Sequence, residues 1–253
     1  MTLQERIAHS PMSPYQIFVI ALCFLLNFND GIDVLLVSFT GAEIMKEWAL
    51  TNAELGYIFS MGLLGMTLGC FFIAPLGDRV GRRLIFLISL LCISTGMISV
   101  YFSDTYTFLL ACRFLTGLGI GGILPNLATL AAEFANEKSR DFSVGIVQGG
   151  WPLGAILTGF VSGWVLPMYG WRHAYLLAGV FSFGMLVAVY FILPESPEFI
   201  VKKRDVRGLK ELNRLLVKMR KATVLEMPVI DLELGQLSRK DLFNSSFLRS
   251  TIL

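Results

Sequence analysis

Three ionisable side chains lie well inside long apolar stretches: Asp30 and Asp33 in one, and Arg113 in another. Each would cost about 2.5 to 3.5 kcal/mol at the centre of a lone membrane-spanning helix, so residues of this kind face one another or a polar cavity. A spacing of three puts both aspartates on one helix face. A carboxyl group withdrawn from water holds its proton more firmly, and a nearby guanidinium opposes that hold. The chemistry open to this set is therefore proton exchange on Asp30 or Asp33, coupled to release of Arg113 toward an anionic solute. A static ion pair between two helices is the alternative. Asn27, Asn126, Gln148 and Trp151 are candidates for lining the same cavity. Gln148 and Trp151 stand just before Pro152, where a helix flexes.

A second constellation is the run Ala74-Pro-Leu-Gly-Asp-Arg-Val-Gly-Arg-Arg83. A carboxylate beside arginines at a helix end forms charge-assisted hydrogen bonds that hold one conformation. Positive charge that merely fixes membrane topology would explain Arg79, Arg82 and Arg83 but not Asp78.

These residues need elements to position them, and the composition says which solvent those elements meet. The chain has 55% hydrophobic and 16% charged residues and a mean hydropathy of +0.66, which argues against a water-soluble globule. Crossing a bilayer takes about 20 apolar helical residues. Six segments qualify, at about 16–40, 55–74, 84–102, 108–132, 143–166 and 173–193, joined by short polar turns. Helices rather than strands satisfy the backbone there. Along the second, fourth and fifth spans, Gly62, Gly65, Gly69, Gly117, Gly121, Gly150, Gly154, Gly159 and Gly163 form stripes of small residues, which let helix backbones approach closely. Cys23, Cys70, Cys92 and Cys112 lie in apolar stretches without zinc-site or disulfide-framework spacing and read as packing residues.

Depth supports a common location for the three charges. Asp30 lies about 20 Å from one membrane edge and Arg113 about 8 Å from the other, at 1.5 Å per residue along spans that run in opposite directions. Lysine and arginine set the orientation. Arg79, Arg82, Arg83, Lys138 and Arg140 fall in joints on one side, and Lys202 to Lys221 add many more after the sixth span, against Lys46 and Arg172 opposite. The polar segment 1–15 and the loop at 195–246 are thus expected in the cytoplasm. The first span is longer than a signal-peptide core and lacks a cleavage site, so it is expected to be retained. Within the loop, Val206, Leu209, Leu212, Leu215, Leu216 and Met219 recur at helical spacing, which predicts an amphipathic helix along the inner membrane face, drawn to anionic lipid. Apolarity rises again at 247–253, which reads as the truncated start of a seventh helix.

The ten-residue run resembles the loop signature of the major facilitator superfamily, Gly-x-Leu-Ala-Asp-Arg-x-Gly-Arg-Arg, with Asp78, Arg79, Gly81, Arg82 and Arg83 in register and small residues at the two departures. Glu133 with Arg140 matches that superfamily's Glu-to-Arg spacing after the fourth span. Leu193-Pro-Glu-Ser-Pro-Glu198 resembles the Pro-Glu-Ser-Pro element of its sugar and organic-acid porters, and Arg113-Phe-Leu-Thr-Gly-Leu-Gly119 its fourth-helix arginine pattern. Asn27-Phe-Asn-Asp-Gly-Ile-Asp33 is similar to the Asp-Gly-x-Asp element of the aromatic acid:proton symporters, in which the paired aspartates are implicated in transport. The resemblance implies an all-α membrane protein whose six transmembrane helices form the N-terminal bundle of a major facilitator fold, lacking the C-terminal six-helix half. It further implies that Asp78, Arg82, Glu133, Arg140 and Glu195 form a charge network that latches the outward-open state. Isolated surface pairs worth about 0 to 1 kcal/mol each are the alternative.

The implied activity is proton-coupled uptake of a small aromatic or other organic acid through a bacterial inner membrane, without cofactor or metal. Within transport, a sugar, polyol or non-aromatic organic-acid porter is the second reading. A non-transporting membrane sensor or assembly subunit is the reading from another class. A net charge of +2 gives no overall basic character, and no nucleic-acid partner is expected. No Gly-Lys-Ser/Thr phosphate loop is present, and His9 and His173 are far apart, so an enzyme or an ATP-driven pump is not expected.

Overall fold

The computed structural model describes residues 10–203 and 206–226, and all regular structure among them is helical. Six long helices are apolar enough to cross a membrane. They are α1 (Pro14–Trp48), a second span Asn52–Val80 that opens with α2 (Asn52–Leu68), α3 (Arg82–Tyr101), α4 (Tyr106–Phe134), α5 (Arg140–Tyr169) and α6 (Trp171–Ile192). Two shorter ones follow, α7 (Pro197–Lys202) and α8 (Val206–Lys218). The helices outrun the apolar segments because their start and stop signals are polar. Ser13 and Gln16 form a capping box ahead of α1, Thr51 and Glu54 form another ahead of α2, and each satisfies N–H groups that the first helical turn leaves free.

The second span does not stop at Ala74. It passes through a π-turn at Gly69–Ile73 and a 3₁₀ turn at Ala74–Leu76 into one last turn at Gly77–Val80. Pro75, with no N–H to give, falls in the tight turn, and the looser π-turn precedes it. Gly81 then reverses the chain at φ 105°, a backbone setting that side chains resist.

In the packing, α1 lies along α5, α2 along α4, and α3 is wedged between α4 and α6. Much of this contact is backbone on backbone. A methyl group on Gly65 or Gly69 would strike the Phe114 or Leu118 carbonyl of α4; on Gly117 or Gly121 it would strike the Gly62 or Met66 carbonyl of α2. Gly150 and Gly154 meet the Phe24 and Phe28 carbonyls of α1 in the same way. A methyl group on Gly163, from the same predicted stripe, would meet nothing within 4 Å. We therefore expect Gly65→Ala to destabilise the bundle by about 1 to 3 kcal/mol and Gly163→Ala to leave it unchanged, as read by thermal unfolding in detergent. Of the cysteines, Cys23 and Cys112 are buried as packing residues, but Cys70 is exposed, because the π-turn carries it to the outer face of the second span.

The amphipathic α8 corrects one expectation. Its apolar stripe is taken up by the protein rather than by lipid: Leu212, Leu215, Leu216 and Met219 are buried in the same core as Ile200 and Val201 of α7, with Met12 and Tyr15 packed alongside. The stripe finds apolar protein at the end of the bundle, so it has no surplus to offer a bilayer. Lys218 lies over the Tyr15 ring at 5.4 Å, and Lys221 donates to the Ser10 hydroxyl and to the Pro11 carbonyl. Leu216→Asp is expected to detach α8, seen as rapid protease cleavage after Lys221 while α1–α6 stay intact. The expected cytoplasmic start at 1–9, the side chain of Val206 and the expected seventh-helix start at 247–253 lie outside the described residues.

Candidate functional site

The polar residues of α1 are sorted among its neighbours by helical angle. Asn27 turns to α5, donating to the Val147 carbonyl at 2.8 Å and to the Gln148 side chain at 3.1 Å. Asn29 turns to α6 and accepts from the Ser182 hydroxyl at 2.8 Å. Gly31 lets α5 close in, since a methyl there would strike the Trp151 carbonyl. Asp30 and Asp33 have no solvent exposure, and all four of their carboxylate oxygens lack a hydrogen-bond partner.

Arg113 reaches this face from α4. Gly62 of α2 leaves room for its guanidinium, which a methyl there would meet at 3.4 Å. The guanidinium is itself 5% exposed overall as a residue and donates to the backbone carbonyl of Asp33 at a long 3.5 Å. Among the described residues no ion pair joins Arg113 to either aspartate. The structure thus brings the three charges together without closing the expected bond. Buried carboxyls with no donor, beside a cation that is itself loosely held and has an unpartnered Nε, form a site able to take up a proton or an anion.

The other candidates divide. Gln148 is exposed and Trp151 half-buried on α5, and Gln148 is oriented by Asn27. Asn126 is a helix fastener: it donates to the Ala74 and Gly122 carbonyls at 3.2 and 2.9 Å, and Gly77 packs directly on its amide. Tyr175 of α6 was missed by sequence reasoning. Its side chain is fully buried, and its hydroxyl lies 3.4 Å from that of Thr40. No sequence signal separates it from the other aromatic residues of an apolar helix.

At the basic end of the bundle, Arg82 pairs with buried Glu133 and with Asp78 at 3.3 Å. Glu133 also accepts from the Ser196 hydroxyl. The Glu195 carboxylate accepts from the backbone N–H of Arg83 at 3.2 Å and of Ser196 at 2.9 Å, and it lies against Gly81, where a Cβ would crowd it. Arg83 donates to the Tyr190 carbonyl. Asp78, Arg82, Glu133 and Glu195 therefore share one cluster, in which Ser196 is an additional member. Arg79 and Arg140 stand outside it and are exposed. Arg140 begins α5 just after the Glu137–Ser139 turn, and Glu133 has Arg82 as its cation instead. At the opposite end, Arg172 pairs with Glu47 at 2.6 Å and lies over the Trp171 ring at 4.3 Å. His173 is half-buried, hydrogen-bonded to the Tyr169 carbonyl at 2.6 Å, and stands edge-on to Tyr101.

The cavity of about 580 Å³ on the outer face of α2, lined by Tyr57, Ser60, Met61, Leu64, Thr67 and Leu110, contains none of these charges. It is a surface groove on an unpaired helix face and not the polar site.

Comparison with known proteins agrees with this architecture. Residues 20–251 match the family model of the Major Facilitator Superfamily. The chain is 34% identical over 224 residues to the 4-hydroxybenzoate transporter PcaK of Pseudomonas aeruginosa, covering 88% of this chain and 50% of that protein. It is 31% identical to the gallate transporter of Pseudomonas putida, over 80% of this chain and 45% of that one. It is 30% identical to the niacin transporter NiaP of Acinetobacter baylyi, over 100% of this chain and 58% of that one. The chain spans about half the length of the curated relatives it matches. In fold it is similar to the proton:xylose symporter XylE, with a TM-score of 0.73 at 18% identity, covering 83% of this chain and 50% of that structure. Six membrane-crossing helices in this order, with the loop cluster at one end and the family match along nearly the whole chain, identify it as a multi-pass membrane protein of the major facilitator superfamily, a family of transporters rather than enzymes, and equivalent to the N-terminal half of that fold.

Proposed function

We propose that the chain forms one half of a proton-coupled importer of small aromatic acids in a bacterial inner membrane. The observation that carries the reading is the pair of fully buried carboxyls, Asp30 and Asp33, with no hydrogen-bond donor to either, beside Arg113. A carboxylate in that setting is costly and a protonated carboxyl much less so, which favours a group that travels loaded with a proton. Arg113, held among the described residues by one long bond to a backbone carbonyl, can meet a solute carboxylate in bidentate fashion. Relatives whose names specify 4-hydroxybenzoate, gallate and niacin transport support an aromatic acid as cargo. Gln148 and Trp151, exposed and half-buried on α5, supply an amide and an aromatic face on the helix that packs along α1.

The concentration of lysine and arginine at one end supports a cytoplasmic location for that end. There the Arg82–Glu133 pair and its neighbours act as the latch that holds the half-transporter outward-open. A second six-helix half closes the cavity across the exposed faces of α2 and α5, and alternating access follows from rocking the two halves about the polar site. A sugar or polyol porter is less well supported: an uncharged solute gives Arg113 no counter-ion, and the likeness to a xylose symporter is one of fold.

The test is accumulation of radiolabelled solute by energised membrane vesicles carrying this chain joined to a second six-helix half. The reading expects 4-hydroxybenzoate to accumulate when the lumen is made alkaline, with xylose at background. Accumulation of xylose and not of 4-hydroxybenzoate would contradict it.

A further inference from the structure

The amide of Gln148 has its direction set from a backbone carbonyl. The Val147 oxygen can only accept, so Asn27 turns its NH2 toward it, at 2.8 Å. The second proton of that NH2 goes to the Gln148 Oε1 at 3.1 Å. Asn27 is 1% exposed and its Oδ1 meets no donor, so nothing draws its amide into the opposite setting. Gln148 is thereby held with its oxygen committed to Asn27 and its own NH2, a double donor, left for another acceptor. The residue is exposed on α5, and a methyl group on neighbouring Gly145 or Gly149 would meet nothing within 4 Å, so there is room beside it for a solute.

The backbone of the same residue offers the complementary group. Pro152 lies four residues on and has no N–H to give to the Gln148 carbonyl. Helix carbonyls point toward the C-terminal end, and the first and fifth spans cross in the same direction, so this oxygen faces the end of α1 at which Asp33 lies. A hydroxyl group both donates and accepts and suits an amide NH2 beside a free carbonyl; an unsubstituted ring edge satisfies neither. Arg113 touches the Asp33 carbonyl at 3.5 Å, and Asp33 stands about 9 Å beyond Asn27 along α1 at 1.5 Å per residue. A benzene ring with a carboxylate at one end and a hydroxyl at the other covers that rise with a hydrogen bond at each end.

We infer that Gln148 is the residue that selects a ring hydroxyl on the cargo. Its NH2 donates to the hydroxyl oxygen, its backbone carbonyl takes the hydroxyl proton, and Asn27 positions the amide without touching cargo. The substrate class is thereby narrowed to hydroxylated aromatic acids. This inference rests on the proposed import of aromatic acids with Arg113 as the carboxylate receptor.

The experiment measures how unlabelled 4-hydroxybenzoate and unlabelled benzoate inhibit uptake of trace radiolabelled 4-hydroxybenzoate, in energised vesicles carrying this chain joined to a second six-helix half. The unaltered protein is compared with Gln148→Leu. A hydrogen bond between uncharged groups is worth a factor of about two to ten in affinity. The unaltered protein should therefore favour 4-hydroxybenzoate over benzoate about tenfold. Gln148→Leu should reduce that preference to about threefold or less by weakening 4-hydroxybenzoate alone. Gln148→Met, unbranched and close to glutamine in length, reads the same difference where Gln148→Leu fails to reach the membrane. A preference that survives the substitution overturns the inference. So does equal weakening of both acids, the mark of a packing role, or equal affinity for the two in the unaltered protein. Absence of aromatic-acid uptake by the unaltered protein overturns the reading on which it rests.

Discussion

Replacing Asp30 and Asp33 together by Asn is expected to lower proton-driven accumulation of 4-hydroxybenzoate by about two orders of magnitude, the scale on which a positioned proton-transfer group acts. Asparagine keeps the size of each side chain and mimics its protonated form in charge, so the helix contacts through Asn27, Asn29 and Gly31 need not change. What is lost is the ability to release the proton. Exchange of labelled for unlabelled solute across the membrane involves no net proton movement and should therefore persist. The check is a pair of assays on one vesicle preparation, accumulation against a proton gradient and exchange without one. Loss of both to the same degree would indicate a fold or binding defect instead.

The second large effect is expected at the latch. The side chains of Arg82 and Glu133 are only 8% and 4% exposed, and removing one member of a buried pair leaves the other charge without compensation, at about 3 to 5 kcal/mol. Arg82→Ala should lower the unfolding temperature of the bundle markedly and shift the protein out of the outward-open state. Asp78→Asn should do far less to stability, since the Asp78 side chain is 66% exposed and its contact with Arg82 is 3.3 Å; exposed pairs contribute about 0 to 1 kcal/mol. Arg140→Ala, outside the cluster, should behave like the unaltered protein in the same melt. The three variants separate the buried pair from the conspicuous sequence motif around it: equal destabilisation by Asp78→Asn and Arg82→Ala would contradict the arrangement.

The architecture was legible because membrane helices leave few choices. Runs of about 20 apolar residues have to be helices, and the glycine stripes of the second, fourth and fifth spans already marked where backbones meet, apart from Gly159, which faces the Phe39 ring, and Gly163. The charged trio was legible because lone charges in apolar stretches are costly. The hydrogen-bond partners were not legible, because they depend on how each helix is rotated. Arg113 meets a carbonyl of Asp33 rather than its carboxylate, Asn126 fastens α4 to the second span rather than lining a cavity, and Glu133 finds Arg82 and Ser196 while Arg140 stays exposed at the start of α5. Spacing along one chain constrains a helix face, whereas partners across helices follow from packing. The docking of α8 was missed for a related reason: an amphipathic stripe says that something apolar lies opposite, and protein and lipid satisfy it equally well.

In the proposed mechanism the buried aspartates carry protons inward with the solute. The most direct measurement is the external pH of a weakly buffered suspension of de-energised vesicles when 4-hydroxybenzoate is added. External pH should rise in step with solute entry in the unaltered protein and stay flat when both Asp30 and Asp33 are Asn. Alkalinisation of equal size in the double variant, or solute entry with no proton movement in the unaltered protein, would contradict it.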